Sequence, residues 1–393
     1  MSYKTRCERC DESELRELTK FVSKVFNVDF PNYLPYIYGE RATTGHNHFV
    51  VREDGEYAAA VLNFPNDLHV GDSVLGTAGV GTVCVREESR GKGYMSDLLA
   101  SCLTEADELG ASFLILSGQR QRYEYYGFAA TGIYSSYCVD SASKRHCLGD
   151  RPSLFTIEEA TKEDGALCVE IMKEQPVYAD RYPEHFYDTS AHDGNKLFLI
   201  REGGRAVGYF ISNPEMTYIN ELSFRRDLDP AKAIDELVLA GFARGTHSMR
   251  FEVPYYQFRL AERLSAISEG WNKGAYAGIC FIDIPAAVNA FGKLRDLGED
   301  ADGTKFVMEI EEHPFLKEIG VARAGKTHGR FRFFVKDGFL QMEETDLPAD
   351  ITLPFLRAEE FLFSDLGALA YDLPARVRCV LPVPFHFPGP DKV

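Results

Sequence analysis

"VCVREESRGKGYMSDLL", Val83–Leu99, decides how the first third of this chain folds. It opens on valines around Cys84 and closes on leucines, with Gly91 and Gly93 between. The overlapping stretch "GTAGVGTVCV" is rich in small and β-branched residues and reads as a strand. Leu98, Leu99, Cys102, Leu103 and Ala106 then recur at helical spacing. "ASFLILSG" reads as the next strand. Gly79–Gly118 is therefore a strand–helix–strand unit, with a right-handed crossover expected.

Amides at a helix N-terminus lack intrahelical partners, so glycines at a strand-to-helix junction often hold a phosphate. A P-loop needs a lysine after its last glycine, and the nearest frame, Gly71–Gly76, is followed by Thr77. A dinucleotide turn needs a third glycine and an acid ending the next strand; here that strand ends "LSGQ". An Arg-led turn entering a helix fits better. Glycines let the backbone approach a pyrophosphate, and Arg90 or Lys92 can add charge. Arg90-Gly91-Lys92-Gly93-Tyr94-Met95 resembles the acyl-CoA motif of the GNAT acetyltransferase superfamily. There Gln or Arg leads, glycine follows three positions on, and a small residue closes. Met95 departs from that last position, and Glu87 stands where a proline is common. "RYEYYGF" sits where the family places its tyrosine segment and its closing glycine–aromatic pair. Cys84 reads as a buried strand thiol, since no histidine lies nearby in sequence.

Working outward, "ESELRELTKFVSKVF" is an amphipathic helix capped by Asp11, with Glu14 completing the box. "NHFVVRED" and "GEYAAAVLNFP" form a hairpin turning at Glu53–Gly55. "YEYYGF" and "GIYSSYCVD" close a first domain, residues 1–150, and the polar stretch 140–153 marks its boundary. A similar order recurs over 151–280: a strand and helix in "FTIEEATKEDGALCVEIMKEQ", a hairpin at Gly203-Gly204, and the strand "TYINELSF". A helix opened by Asp229 and Pro230 and the strand "SMRFEVP" follow. Its strand-to-helix junction, "SFRRDLDPAKAIDEL", contains no glycine, so this copy cannot hold the same ligand. A third region, 281–393, has a helix near "IDIPAAVNAF", alternating strands around a Lys336-Asp337-Gly338 turn, a late helix, and an extended tail rich in proline and aromatics.

With 393 residues the chain suggests two or three cores, and 45% hydrophobic residues suit globular domains. No apolar run is long enough for a spanning helix, and the start lacks the apolar segment of a secretory signal. Nine scattered cysteines suit reduced thiols in a cytoplasm. Cys7 and Cys10 form a lone pair with no second ligand pair, so no metal is expected. His46 and His48 share a face but lack a third ligand. A net charge of −17 opposes nucleic-acid binding and favours cationic substrates.

The three-part layout resembles the Eis-type (enhanced intracellular survival) N-acetyltransferases. The resemblance implies an α/β (α+β) fold with tandem GNAT domains, the second degenerate, plus a sterol-carrier-like C-terminal domain. It implies acetyl-CoA as cosubstrate, held at Val83, Cys84, Val85, Arg90, Gly91, Lys92, Gly93, Tyr94, Met95, Ser96, Gly118 and Gln119. Direct transfer to a primary amine is expected: a small cationic amine, an aminoglycoside or a lysine. Homo-oligomeric assembly, often hexameric in the family, is implied as well.

In the family the acid tyrosine is followed three residues later by an aromatic, then glycine, then another aromatic, which places it at Tyr123 in Tyr123-Glu124-Tyr125-Tyr126-Gly127-Phe128. The base is a C-terminal carboxylate, here Val393, where relatives usually carry phenylalanine. Tyr125 and Tyr126 are expected to pack. The acidic, aromatic "VFNVDFPNYLPYIY" would wall the amine site through Asp29 and its rings. The competing expectation is a non-catalytic acyl-CoA-binding or sensory protein, whose C-terminal domain carries an apolar ligand or a partner.

Overall fold

Val83–Leu99 folds as its pattern dictates: a strand ends at Val85 and a helix runs Tyr94–Glu108, burying Leu98, Leu99, Cys102, Leu103 and Ala106. The computed structural model describes residues 6–365 and 375–392. Thirteen of its strands form one sheet: β1 (Glu8–Arg9), β2 (His48–Glu53), β3 (Glu56–Val70), β4 (Ser73–Val85), β5 (Phe113–Leu116), β6 (Ala129–Asp140), β7 (Phe155–Glu159), β8 (Val177–Ala179), β9 (Lys196–Glu202), β10 (Arg205–Ser212), β11 (Tyr218–Phe224), β12 (Ser248–Pro254) and β13 (Gly270–Phe281). The order is β1-β2-β3-β4-β5-β13-β6-β12-β11-β10-β9-β7, with β8 beside the end of β3. A second sheet of four, β14 (Lys305–Ile310), β15 (Gly329–Lys336), β16 (Phe339–Glu344) and β17 (Ile351–Leu353), has the order β16-β15-β14-β17.

The two faces of the first lobe follow from strand alternation. Ala59, Val61, Ala78 and Val80 turn toward the helix Tyr94–Glu108. Ala60, Leu62 and Cys84 turn toward the helix Leu15–Phe26. That first helix is preceded by the expected box: Ser13 N–H donates to Asp11, and Glu14 accepts from the Asp11 amide. The hairpin at Gly203-Gly204 has φ of +54° and +88°, values that glycine adopts without strain.

The structure adds features that the sequence reading did not specify. Within the polar stretch after Asp140, Ser141–Cys147 is a helix, capped by Asp140 accepting from Ser143 N–H at 2.7 Å. The sheet also runs without a break across residue 150, because β6 pairs with β12. In addition, β13 follows the second set of elements in sequence yet inserts between β5 and β6 of the first. Its sequence, "GWNKGAYAGICF", hides this because three glycines dilute the strand pattern. Two of them are needed for close packing. A Cβ on Gly274 would sit 2.7 Å from the Tyr134 hydroxyl, and one on Gly278 3.1 Å from the Leu116 carbonyl.

The proline- and aromatic-rich tail packs as the extended segment its composition suggests. Leu381, Val383, Phe385 and Phe387 are all buried, and Phe385 meets the rings of Phe113, Phe281, Phe291 and Phe363. The tail therefore crosses from the C-terminal sheet region to the large sheet.

Candidate active site

The β4–β5 ladder is parallel and short. It pairs Thr77 with Phe113 through Val80 with Leu116 and then stops. Beyond Val80, among the described residues, β4 keeps only β3 as neighbour, and the register slips between Ala60 and Leu62 opposite Gly81. Thr82 lies at this bulge with φ +45°, an unusual value for a β-branched residue. A buried chain of hydrogen bonds holds it. The Thr82 hydroxyl is 2.6 Å from the Tyr38 hydroxyl, which is 2.9 Å from His48 Nε2. His48 Nδ1 in turn lies 2.9 Å from the Thr44 carbonyl, to which it donates. Burial lowers the His48 pKa to about 4, so the ring is neutral and Nε2 accepts from Tyr38. His48 is thus a structural latch, while His46 is exposed and meets Glu12.

Val83, Cys84 and Val85 line the open edge of β4 beyond its last β5 partner. The Cys84 thiol is buried and its pKa is pushed up to about 12 by desolvation, which makes it an inert packing group. The turn that follows carries Gly91 at φ +79° and Gly93 at φ +85°, with open space where a Gly91 Cβ would project. Gly93 is the helix N-cap and supplies no side-chain acceptor. Among the described residues, no backbone carbonyl accepts from the amides of Gly91 through Met95. Ser96 differs: its amide donates to the Gly93 carbonyl at 3.0 Å. The turn therefore offers a short run of outward amides at the positive end of a helix, which fits a pyrophosphate. The second junction cannot do this. Pro230 has no N–H, and the Asp229 carboxylate already accepts from Ala231 N–H at 2.9 Å.

The two charges of the turn have different surroundings. Arg90 is exposed, but Lys92 is 2.6 Å from Glu53 Oε1. Glu53 also accepts from the Tyr94 hydroxyl at 2.6 Å and from Ser89 at 2.9 Å. Hydrogen bonds from Lys92, Tyr94 and Ser89 hold its pKa down at about 2. Glu53 thus pins the turn from the β2–β3 hairpin. Arg6, which carries no local sequence signal, also reaches the turn. Its Nη2 donates to the Lys92 carbonyl at 2.8 Å, its Nε meets Asp97 at 2.5 Å, and its guanidinium lies 4.5 Å from the Tyr94 ring centre. Only the pairing of β1 with β2 brings it there, and a two-residue strand leaves almost no sequence signal.

Tyr123 ends a short helix, Arg120–Tyr123, whose N-cap is Gln119. Its ring packs against Gly118, where a Cβ would sit 2.5 Å from Tyr123 Cε2. Both residues line a cavity of 270 Å³ together with Leu116, Phe128, Tyr276 and Gly278. Burial raises the Tyr123 pKa, with Arg122 opposing, so the phenol keeps its proton at neutral pH. Tyr125 is exposed and meets Phe315, whereas Tyr126 is buried and its hydroxyl lies 3.0 Å from Ser96 Oγ. That last bond ties the tyrosine segment to the helix of the glycine turn. Gly118→Ala is expected to displace the Tyr123 ring and lower kcat about 10²-fold with little change in melting temperature. Steady-state kinetics beside thermal denaturation checks this.

A second cavity, of 380 Å³, lies where β3 leaves β2 and meets the second lobe. Tyr36, Asn63, Asp67, Asp180, His185 and Asp391 line it. The segment after the first helix reaches this cavity through Tyr36, but Asp29 does not line it. Asp29 is exposed and accepts from Asn32 at 2.7 Å. The acidic wall comes instead from residues distant in sequence. Val393 lies outside the described residues. Lys392, next to it, has its ammonium 3.2 Å from the Tyr276 ring centre. Tyr276 is thus shared by the tail and the Tyr123 cavity.

No His, Cys, Asp and Glu group suited to a metal occurs among the described residues, nor does any helix long and apolar enough to cross a membrane. An acetyltransferase (GNAT) domain model matches residues 6–131, which hold the glycine turn, the β4–β5 opening and Tyr123. Among curated proteins, no sequence matches the chain. Solved structures are similar over nearly its whole length. A GCN5-related N-acetyltransferase from Anabaena variabilis superposes with a TM-score of 0.70 at 14% identity, covering 98% of each chain. One from Kribbella flavida gives 0.67 at 16% identity, covering 97% of this chain and 95% of its own. Eis1 from Mycobacterium abscessus gives 0.61 at 15% identity, covering 95% and 96%. At such identity the superpositions speak for the fold, while the matched domain speaks for the chemistry. Residues 6–131 thus form an acetyltransferase (GNAT) domain, within a fold that the chain shares with Eis1 over 95% of its length.

Proposed function

We propose that the protein transfers the acetyl group of acetyl-CoA directly to a primary amine of a cationic acceptor. The reading is carried by the junction of three features: the opened β4 edge, the glycine turn with outward amides, and a buried, protonated tyrosine. Acetyl-CoA supplies an acyl group activated as a thioester. Val83–Val85 would orient its arm along the open edge. The amides of Gly91–Met95, with Arg90, would hold the pyrophosphate, and Ser96, Gly118 and Gln119 complete the contact surface.

As the amine nitrogen bonds to the carbonyl carbon, the carbon–sulfur bond breaks and the thiolate needs a proton. Tyr123 supplies it, since burial holds its phenol above the ordinary tyrosine range, so the proton is still there at neutral pH when the thiolate leaves. The amine must lose a proton, and we assign that to the Val393 carboxylate. The 380 Å³ cavity is the acceptor site we favour, because Asp67 and Asp180 suit a cation and Tyr36 adds an aromatic wall. The boundaries 1–150, 151–280 and 281–393 are kept as functional units, with the C-terminal unit read as sterol-carrier-like. Offering purified protein acetyl-CoA and a panel of polyamines, aminoglycosides and lysine peptides tests the reading. Release of free CoA with a product heavier by one acetyl group is expected. Cofactor binding without turnover on any amine favours an acyl-CoA-binding or sensory role instead.

A further inference from the structure

Two buried side chains on the wall of the 380 Å³ cavity carry acceptors that the fold leaves unused. Asn63 is 1% exposed and His192 3%, and both line it. The Asn63 amide nitrogen donates to Glu105 at 2.6 Å, while its Oδ1 has no partner among the described residues. His192 divides in the same way. Burial lowers its pKa to about 4, so the ring is neutral, and Nδ1 donates to the Pro390 carbonyl at 3.0 Å. Nε2 is then a lone pair, again without a partner among the described residues. A buried acceptor without a donor is costly, and two of them on one cavity mark a place for a ligand that brings N–H groups.

Charge points the same way. The Arg181 guanidinium meets Asp391 through Nε and Nη2 at 2.9 and 2.6 Å, and Glu221 through Nη1 and Nη2 at 2.8 and 2.7 Å. One cation thus faces two carboxylates, and among the described residues no other cation pairs with either. Arg181 and Asp391 both line the cavity, so the cluster leaves negative charge over at its wall. Exposed Asp67 adds to it, whereas Asp180 is shared with His69 at 3.0 Å. Excess charge in a desolvated wall favours a cation beside it. Tyr123, Val83–Val85 and the glycine turn do not line this cavity. A nitrogen held here is therefore not the one that meets the thioester.

We infer that Asn63 and His192 determine acceptor specificity: their unused acceptors take the N–H groups of a second, non-reacting cationic nitrogen, so the preferred acceptor carries two such nitrogens. The inference rests on the reading of this cavity as the acceptor site. The Arg181 cluster supplies the countercharge. The reacting nitrogen loses a proton and gains the acetyl group while CoA leaves as the thiol. The held nitrogen keeps its protons, so the product carries one acetyl group. A quaternary ammonium has the charge but no N–H and satisfies neither residue.

Three amine series of increasing chain length test this on the whole protein: linear diamines, the matching monoamines, and the diamines trimethylated at one nitrogen. At the best length, kcat/KM for the diamine is expected to exceed that of both counterparts by about tenfold or more. His192→Asn places an amide nitrogen where Nδ1 lay, which keeps the donor to Pro390 and leaves nothing at Nε2. There the advantage of the diamine should shrink toward one, through its KM rather than kcat. Asn63→Leu should act likewise. Equal kcat/KM for diamines and monoamines, or an advantage that survives in both variants, overturns the inference and leaves acyl transfer standing. A trimethylated diamine as good as its parent reduces the site to charge alone and overturns the role of Asn63 and His192. Absence of turnover on every amine overturns the acceptor reading itself. Equilibrium dialysis of the diamines then reads the site directly: binding weakens about tenfold in His192→Asn where the two residues hold the cation, and is unchanged where they do not. If His192→Asn does not fold, the three series on the wild type decide.

Discussion

Tyr123→Phe is expected to lower kcat by about 10² to 10⁴-fold while acetyl-CoA still binds. The substitution removes one oxygen from a ring that is otherwise retained by Gly118 and by Phe128, whose ring centre is 6.5 Å away. The cavity keeps its shape, so the cofactor arm and the acceptor should seat as before. What disappears is the proton for the leaving thiolate. Without it the sulfur must depart as an anion from a desolvated site, and the step slows by the full contribution of the acid. The pH profile gives a second check. In the wild type, the alkaline limb of kcat should lie above the ordinary tyrosine range, because burial raises the Tyr123 pKa. In Tyr123→Phe that limb should vanish along with most of the rate. Replacement of the neighbouring Tyr125, which is exposed, should leave both unchanged. Full activity in Tyr123→Phe would remove the acid assignment outright.

What the sequence reveals of this site, and what it hides, divides along physical lines. The β4–turn–helix unit is legible because every signal in it is local: a strand period, glycines that need positive φ, and a helical apolar face. Tyr123 is legible for a similar reason, since its aromatic and glycine neighbours are contiguous. Arg6, Glu53 and Arg181 are not. Each is an ordinary surface-type residue in sequence and gains meaning only from a partner 39 to 210 positions away. Lys92 shows the same limit from the other side: its place beside two glycines suggests a phosphate contact, and nothing local announces the Glu53 partner that the β2–β3 hairpin brings to it. β13 escapes because close packing selects glycine, and glycine erases the alternation by which strands are recognised.

Acidification from pH 6.5 to 4.5 is expected to destabilise the protein steeply, and the main cause is the buried neutral histidines His48, His192 and His386, to which His313, also lowered by burial, adds. Burial lowers the pKa of His48 and His192 to about 4 and that of His386 to about 3. In the unfolded chain each titrates near 6.5. Between those values the unfolded state binds protons that the folded state refuses, so stability falls as pH falls. A shift from 6.5 to about 4 corresponds to about 3 kcal/mol per histidine once the pH reaches the folded value. Most of that develops above pH 4.5, before paired carboxylates contribute. Glu53, held at about 2, favours folding above its ordinary range and loses that advantage only between about pH 4.5 and 2. The two windows are therefore separable. Urea midpoints measured from pH 7.5 to 4 should be level above pH 7 and drop progressively below 6.5. His48→Gln, which cannot titrate, should lessen the slope by close to one proton. The same titration reaches the active site, because a protonated His48 can no longer accept from Tyr38. Tyr38 must then accept from His48 and donate to Thr82, so the hydrogen-bond chain that latches the β4 bulge is reversed and carries a buried charge. Activity should accordingly fall in the same pH window as stability, and His48→Gln should keep more of its own neutral-pH rate at pH 5.5 than the wild type keeps of its. A midpoint that stays level down to pH 4.5 would mean that these rings are not buried in their neutral form.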